Sequence, residues 1–400
     1  MKYVIFIIDG AADYPIVELN GKTPLMAASK PNIDNLAKNG KCGLFRTIPL
    51  NFSTGSAVAN LSILGYDPLS QFQGRGVLEA AAMGINLEKN DVAFRCNTIC
   101  VKDNKIKNHS GGHISSKEGA ELIRAVDSSL GKEDIKFYPG VSYRHLLVFK
   151  GSYSADLDCA PPHDHVDEPI AKLLSKSNSA DGEKTAATVN KLMLDSKPLL
   201  EKHPVNVKRV KGGKDQANMI WPWSPGKKPE MKTFQELYGL KGAVITAVDL
   251  VRGLGIYAGF DVINVEGATG LYDTNYEGKA DACIEALKDH DIVYVHVEAP
   301  DEAGHEGDLK LKIKCIEDFD KRLLGRVLEN LEEEVRIAVL PDHPTPVKIR
   351  GHVSDPIPFA IYDKSVKGDM VESFDEFSCK KGSFGLLEKD EFIRALLGLK

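Results

Sequence analysis

The 400-residue chain has no apolar run near the ~20 residues that a membrane helix needs. It also has no internal repeat and no low-complexity tract. Positive charge is not in excess: 57 aspartates and glutamates against 51 lysines and arginines leave a net charge of −6, which argues against a general nucleic-acid binder. Cysteine is sparse and unpatterned. The seven are odd in number, and Cys96-x3-Cys100 has no second pair. A disulfide framework or zinc ribbon is thereby disfavoured, and buried thiols in a reducing cytoplasm are expected. The apolar start of the chain lacks a small-residue cleavage site and runs straight into Asp9 and Asp13, so a strand is expected there rather than a signal core.

Apolar content of 42% and charged content of 27% are those of a soluble globular protein, and the length favours two domains. The most informative feature is a set of three hydrophobic runs that lead to aspartate. Residues 3–8 end at Asp9, 292–297 lead to Asp301, and 335–340 lead to Asp342. Buried strands that stop at a carboxylate put it at the carboxyl edge of a sheet, where open α/β sheets bind ligands. His305, His343 and His352 stand nearby. Six such groups would form a cage for two divalent cations.

The chain alternates strand and helix patterns at both ends, which predicts a parallel sheet covered by helices. Helices are expected over 31–39, 56–64, 250–258, 275–288 and 309–331, with strands over 243–248 and 261–265. Texture changes near Gly74-Arg75-Gly76. From about 91 to 214 the pattern predicts strands at 92–101, 146–149 and 205–210 and helices at 116–130 and 186–194. The Pro/Gly/Lys stretch 222–229 reads as a linker. If Asp9 and the ligands beyond residue 300 share one site, the middle is an insertion. The expected fold is therefore α/β, a doubly wound and mostly parallel sheet formed by 1–85 and 230–400, with a second α/β domain, 86–229, inserted.

Asp301 and His305 are one helical turn apart, so both can grip one ion; the alternative is that they cap a helix. Asp342 and His343 follow the next strand, and His352 lies in the loop after Thr345-Pro346. Carboxylate and imidazole donors suit Mn, Zn and Co, with Mg less favoured. The stretch Ser53-Thr54-Gly55-Ser56 places hydroxyls before a helix, whose N-terminus favours an anion. A divalent ion would make one of them a nucleophile at neutral pH; ordinary N-capping is the alternative. In the middle region, His109-Ser110-Gly111-Gly112-His113, Arg95, Asn97, Arg144-His145 and Pro161-Pro162-His163-Asp164-His165 offer groups that could hold an anion. Lys208, Arg209, Lys211 and Lys214 read as a solvated basic patch. His163-x-His165 has no evident third metal ligand.

These stretches together resemble the cofactor-independent phosphoglycerate mutases, in the shorter archaeal-type branch of a family within the alkaline phosphatase superfamily. Phe6-Ile7-Ile8-Asp9-Gly10, Thr54-Gly55-Ser56, Leu64-Gly65-Tyr66-Asp67-Pro68, Gly74-Arg75-Gly76, Pro300-Asp301-Glu302-Ala303-Gly304-His305 and Pro341-Asp342-His343 carry the resemblance. It implies one metal on Asp301, His305 and His352, and a second on Asp9, Asp342, His343 and the nucleophile, which Ser56 matches best. It implies two divalent ions, most favourably Mn, and no 2,3-bisphosphoglycerate. The small phosphorylated substrate would be 3-phosphoglycerate, its phosphoryl group passing through Ser56, with Arg95, His113 and Arg144 as substrate contacts. Nucleic acid and membrane are not expected partners, and nothing in the sequence indicates oligomeric state. Where the longer bacterial branch has a histidine after its serine motif and a lysine before the second half of the core, this chain has Asn60 and the segment Val248-Asp249-Leu250-Val251-Arg252. Arg252 and His113 are the candidates for protonating the leaving oxygen. The rival readings are a metal-dependent phosphatase or small-alcohol phosphotransferase (homoserine kinase-like) on the same core, and a non-enzymatic ion-binding scaffold.

Overall fold

The computed structural model describes residues 1–331 and 334–399. Its strands in chain order are β1 (Lys2–Ile8), β2 (Lys41–Arg46), β3 (Val92–Lys102), β4 (Lys105–Asn108), β5 (Ile135–Tyr138), β6 (Arg144–Phe149), β7 (Met219–Lys227), β8 (Gly242–Ile245), β9 (Asp261–Val262), β10 (Ile292–Val297), β11 (Val335–Leu340), β12 (Ile357–Tyr362) and β13 (Gly385–Glu388). The chain forms two compact units, residues 1–72 with 230–400 and residues 73–229.

The first unit holds an eight-stranded sheet in the order β13-β2-β12-β11-β1-β10-β8-β9. β11, β1, β10, β8 and β9 run parallel, and β12 is antiparallel to both of its neighbours. Residues 4–8 of β1 and all of β10 are buried, because a parallel strand covered on both faces has no polar side to show. Register pairs Ile8 with Val297 and Ile7 with Leu340, so β11, β1 and β10 end together. Parallel strands share one carboxyl edge, so residues following all three necessarily meet there. The expected 309–331 helix is present with an interruption: helical turns at Leu309–Asp318 and Gly325–Asn330 flank a π-helical stretch, Phe319–Leu324. Within that stretch Asp320 is buried and accepts the backbone N–H groups of Asn32 (3.3 Å) and Ile33 (2.7 Å), capping the helix Pro31–Asn39.

The second unit is an antiparallel sheet in the order β4-β3-β6-β5, with β7 also paired to β3. Two sequence expectations are corrected here. Residues 205–210 are not a strand but part of the helix Pro204–Lys211: Pro204 starts it, and the His203 side chain accepts the Val205 N–H (3.3 Å). The 222–229 stretch is largely strand β7 rather than linker. Its prolines are tolerated because it lies at the sheet edge, where a missing N–H costs nothing. The opening segment of the first unit ends at Phe72. The helix Arg75–Ala82 packs so tightly on β3 that a Cβ on Gly76 would lie 2.5 Å from the Ala93 carbonyl oxygen. All seven cysteines are free thiols, six of them buried. Among the described residues no helix is long and apolar enough to cross a membrane.

Candidate metal centre and phosphoryl-transfer site

Asp9 follows β1 directly, Asp301 lies on the helix Ala299–Glu306 after β10, and Asp342 comes two residues after β11. All three are buried. The turn after Asp9 needs glycine. Gly10 has φ of 64°, and a Cβ there would stand 2.5 Å from Asp301 Oδ1. The Gly10 N–H donates to Asp342 Oδ1 (3.2 Å), so the first strand's turn also holds the third carboxylate. Lys312, buried, donates to the Ala12 carbonyl (3.3 Å), Asp13 Oδ2 (3.0 Å) and the Thr345 carbonyl (2.8 Å), tying the loops after β1 and β11 together.

The sequence-selected residues gather in two adjoining groups. In the first, His305 Nε2 lies 3.3 Å from Asp301 Oδ2, His352 Nε2 lies 3.4 Å from Asp301 Oδ1, and the two imidazole nitrogens face each other at 2.9 Å. In the second, His343 Nε2 stands 3.6 Å from Asp9 Oδ1, 3.5 Å from Asp342 Oδ2 and 3.1 Å from Ser56 Oγ. The His343 and His352 rings are 4.0 Å apart between centroids, so the groups share a wall. Ser56 is the first residue of the helix Ser56–Ile63, after Gly55. Donor atoms of Asp301, His305 and His352, of Asp9, Asp301 and His343, and of Asp9, His296 and Asp342 each lie within 4.8 Å of one another.

Charge explains why these residues fit a divalent cation. Burial, then the nearby charges of Asp342 and Asp301, push the Asp9 carboxyl well above the usual carboxylate range. Both Asp9 oxygens lack an aligned hydrogen bond despite complete burial. Buried acceptors call for a partner, and a cation is one that would complete both. Against the cost of burial, hydrogen bonds from His305 and His352 hold Asp301 well below its usual range. The partner effect raises His305 to about 9, chiefly through its hydrogen bond to Asp301. In the cation-free protein this protonated imidazole contributes stability that is fully present below its ordinary 6.5 and lost as pH rises through about 9. A cation at Asp301, His305 and His352 must displace that proton. Binding at pH 7 to 8 is therefore expected to release about one proton per ion. Calorimetric titration in buffers of differing ionisation enthalpy checks this; a buffer-independent heat contradicts it.

Several residues that complete the site carried no recognisable sequence signal. Thr345 Oγ1 donates to Asp301 Oδ1 (2.5 Å) and lies 3.2 Å from His343 Nδ1. A hydroxyl has one proton, and the ionised carboxylate takes it. His343 therefore donates from Nδ1, leaving the Nε2 lone pair facing Ser56. Asn60 donates to Asp342 Oδ2 (2.9 Å) and to the Ser56 carbonyl (2.7 Å), and Tyr294 donates its hydroxyl to Asn60 Oδ1. The Asn60 position, noted only as lacking a histidine, thus couples the serine's helix to Asp342. His296 is completely buried, and burial drives it down to about 4, so it is a neutral imidazole.

Within the second unit, Arg95, His113 and Arg144 belong to one cationic and aromatic cluster. The Arg95 guanidinium lies 5.2 Å from the Trp223 ring centre and pairs with Glu79 at 2.8 Å. Arg75 approaches the same ring at 5.7 Å, and His163 packs on its edge. His109 contacts His163 and Tyr143, and exposed Arg144 lies over Tyr143. Burial, then the charges of His113 and Arg95, lower the His109 pKa. Arg75 is an addition to the expected anion-holding groups, and His163 was among them; their link to Arg95 runs through Trp223, more than 120 residues on from Arg95 in the sequence. Arg209 is not part of a solvated patch. It is buried, and it donates to the carbonyls of Gly111 (2.8 Å), Gly112 (2.9 Å) and Asp215 (2.8 Å) and to Glu118 (2.9 Å), bracing the bend that carries His113. In the first unit Arg252 donates to Asn264 Oδ1 (2.7 Å), and a guanidinium does not give up a proton near neutrality.

A mostly parallel α/β sheet with a buried carboxylate–imidazole cluster at its carboxyl edge defines the class: an α/β protein whose strand ends gather donors suited to divalent cations beside a serine hydroxyl. The family model for 2,3-bisphosphoglycerate-independent phosphoglycerate mutase matches residues 37–206. A Methanosarcina mazei protein of that name is 53% identical over 99% of this chain and 100% of its own length. A Methanothermobacter thermautotrophicus relative of the same name is 49% identical over 99% of this chain and 97% of its own. Among solved structures, one from Pyrococcus horikoshii is similar with a TM-score of 0.85 and 32% identity, covering 99% of this chain and 96% of its own. The cofactor-independent phosphoglycerate mutase of Thermoplasma acidophilum gives a TM-score of 0.70 and 30% identity over 100% of this chain and 99% of its own. The chain belongs to the 2,3-bisphosphoglycerate-independent phosphoglycerate mutases, which are isomerases.

Proposed function

We propose that this chain interconverts 3-phosphoglycerate and 2-phosphoglycerate without 2,3-bisphosphoglycerate, carrying the phosphoryl group on Ser56. The observation that supports it most directly is Ser56 Oγ at 3.1 Å from His343 Nε2, inside the buried carboxylate–imidazole cluster of a chain from this family. Ser56 loses its proton to solvent and its Oγ attacks phosphorus. The bond from phosphorus to the glycerate oxygen breaks, and the departing oxygen takes up a proton from solvent. In the second half the other glycerate hydroxyl gives up its proton and attacks the phosphoserine, and Ser56 Oγ regains a proton. Asp301, His305 and His352 are the proposed ligands of one cation, and Asp9, Asp342, His343 and Ser56 those of a second. When bound, the two ions supply Lewis-acid stabilisation of phosphoryl charge and lower the serine pKa. Manganese is the proposed ion, on the mixed carboxylate and imidazole donors. Arg95, His113 and Arg144 are the proposed substrate contacts, the guanidinium groups pairing with carboxylate or phosphate oxygens. The cysteine pattern supports a cytoplasmic location.

The test is a coupled assay for 2-phosphoglycerate from 3-phosphoglycerate with Mn²⁺ present and no bisphosphoglycerate added. Steady turnover is expected. Release of inorganic phosphate faster than 2-phosphoglycerate would instead make the protein a phosphatase.

A further inference from the structure

We infer that His296 is a further cation ligand, acting together with Asp9 and Asp342. The inference rests on reading the cluster as a metal centre. His296 is on β10, where side chains alternate, so it shares a face with Tyr294. That face looks toward the Asp9 half-site: Tyr294 reaches Asp342 through Asn60, and His296 reaches Asp9 directly. Its Nε2 lies 3.1 Å from Asp9 Oδ2. Yet neither atom has an aligned hydrogen bond, although both are completely buried. A hydrogen-bonded pair would point at each other. Two donor atoms this close with no hydrogen bond between them are spaced like co-ligands of one ion, whose separations are about 3 Å for bonds of ~2.0–2.2 Å. Asp342 supplies the third atom of this group.

The other ring nitrogen is also consistent. His296 Nδ1 is 3.4 Å from Thr246 Oγ1, which accepts the Val248 N–H at 3.0 Å and has a second lone pair free for an Nδ1–H. A ligating histidine commonly donates its remote N–H in this way, leaving Nε2 with its lone pair. Lys279, buried, donates to the His296 carbonyl (2.8 Å) and holds the strand end in place. A cation held by Asp9, Asp342 and His296 would have a mixed carboxylate and imidazole donor set, which favours Mn, Co or Zn over Mg.

Metal titration of the full chain tests this. H296L is expected to bind one ion with unchanged affinity, at Asp301, His305 and His352, and the second at least ~10-fold more weakly. H296N, which restores a polar group of smaller size, is the second variant should leucine beside Asp9 prevent folding, and the same selective loss is expected. On the wild-type chain with ¹⁵N-labelled histidine, saturating Zn²⁺ is expected to move the His296 Nε2 resonance to a coordinated position. Wild-type affinity for both ions in a folded variant, or an unmoved His296 resonance, overturns the inference while leaving the metal centre intact. A wild-type chain that binds no divalent ion sinks the metal reading itself.

Discussion

Alanine at position 56 is expected to reduce mutase turnover by at least ~10⁴-fold, because removing a nucleophile leaves no covalent route and only binding and charge stabilisation remain. The fold and the metal content should survive. The Ser56 hydroxyl meets the His343 side chain, while the carboxylates and the other imidazoles are supported independently. Asp342 is held by the Gly10 N–H, the His343 N–H and Asn60, none of which uses the serine hydroxyl. Loss of turnover with wild-type metal content separates catalysis from a scaffold that only binds ions. The measurement is the coupled assay alongside metal analysis, with intact-mass detection of phosphoserine in wild type and its absence in S56A. Turnover in S56A within tenfold of wild type would remove the serine from the mechanism.

Stripping divalent metal is expected to abolish turnover and to lower thermal stability, with both restored by Mn²⁺. Asp9, Asp301 and Asp342 are buried side by side, and burial, followed by repulsion from Asp342 and Asp301, raises the Asp9 carboxyl. An ion that binds only the folded chain adds about 2.7 kcal/mol when present at ~100 times its Kd. Calorimetry of the chelated and reconstituted protein reads the shift, and the coupled assay reads the activity. Full turnover after exhaustive chelation would exclude a metal role. Stability unchanged by Mn²⁺ would mean that no site selective for the folded state exists.

The parallel half of the fold was readable because its strands are long apolar runs, and each carboxylate that matters comes at or just after the end of one. Asp9 and Asp342 needed only the rule that such strands share an edge. His305 needed only the helical spacing from Asp301. The helix Ser116–Leu130 was readable to its bounds, since Ser115 and Glu118 form a capping box. Residues 205–210 were misread because alternating valines fit a strand as well as a short helix, and the cap that decided between them is a histidine side chain. Strand β7 was misread because prolines signal a break locally, whereas an edge position removes their penalty.

What the sequence determined unaided is the chemistry: which carboxylates, imidazoles and hydroxyl are available, and that hydrophobic periodicity delivers them to strand and helix ends. Tertiary structure alone decided the supporting partners. Thr345 sets the tautomer of His343, Asn60 joins Ser56's helix to Asp342, Lys312 ties two loops, and His296 faces Asp9. The physical reason is distance along the chain. Local propensity acts over a few residues, whereas Asn60 with Asp342 and Asp9 with His296 are brought together across 282 and 287 positions only when the strands pair.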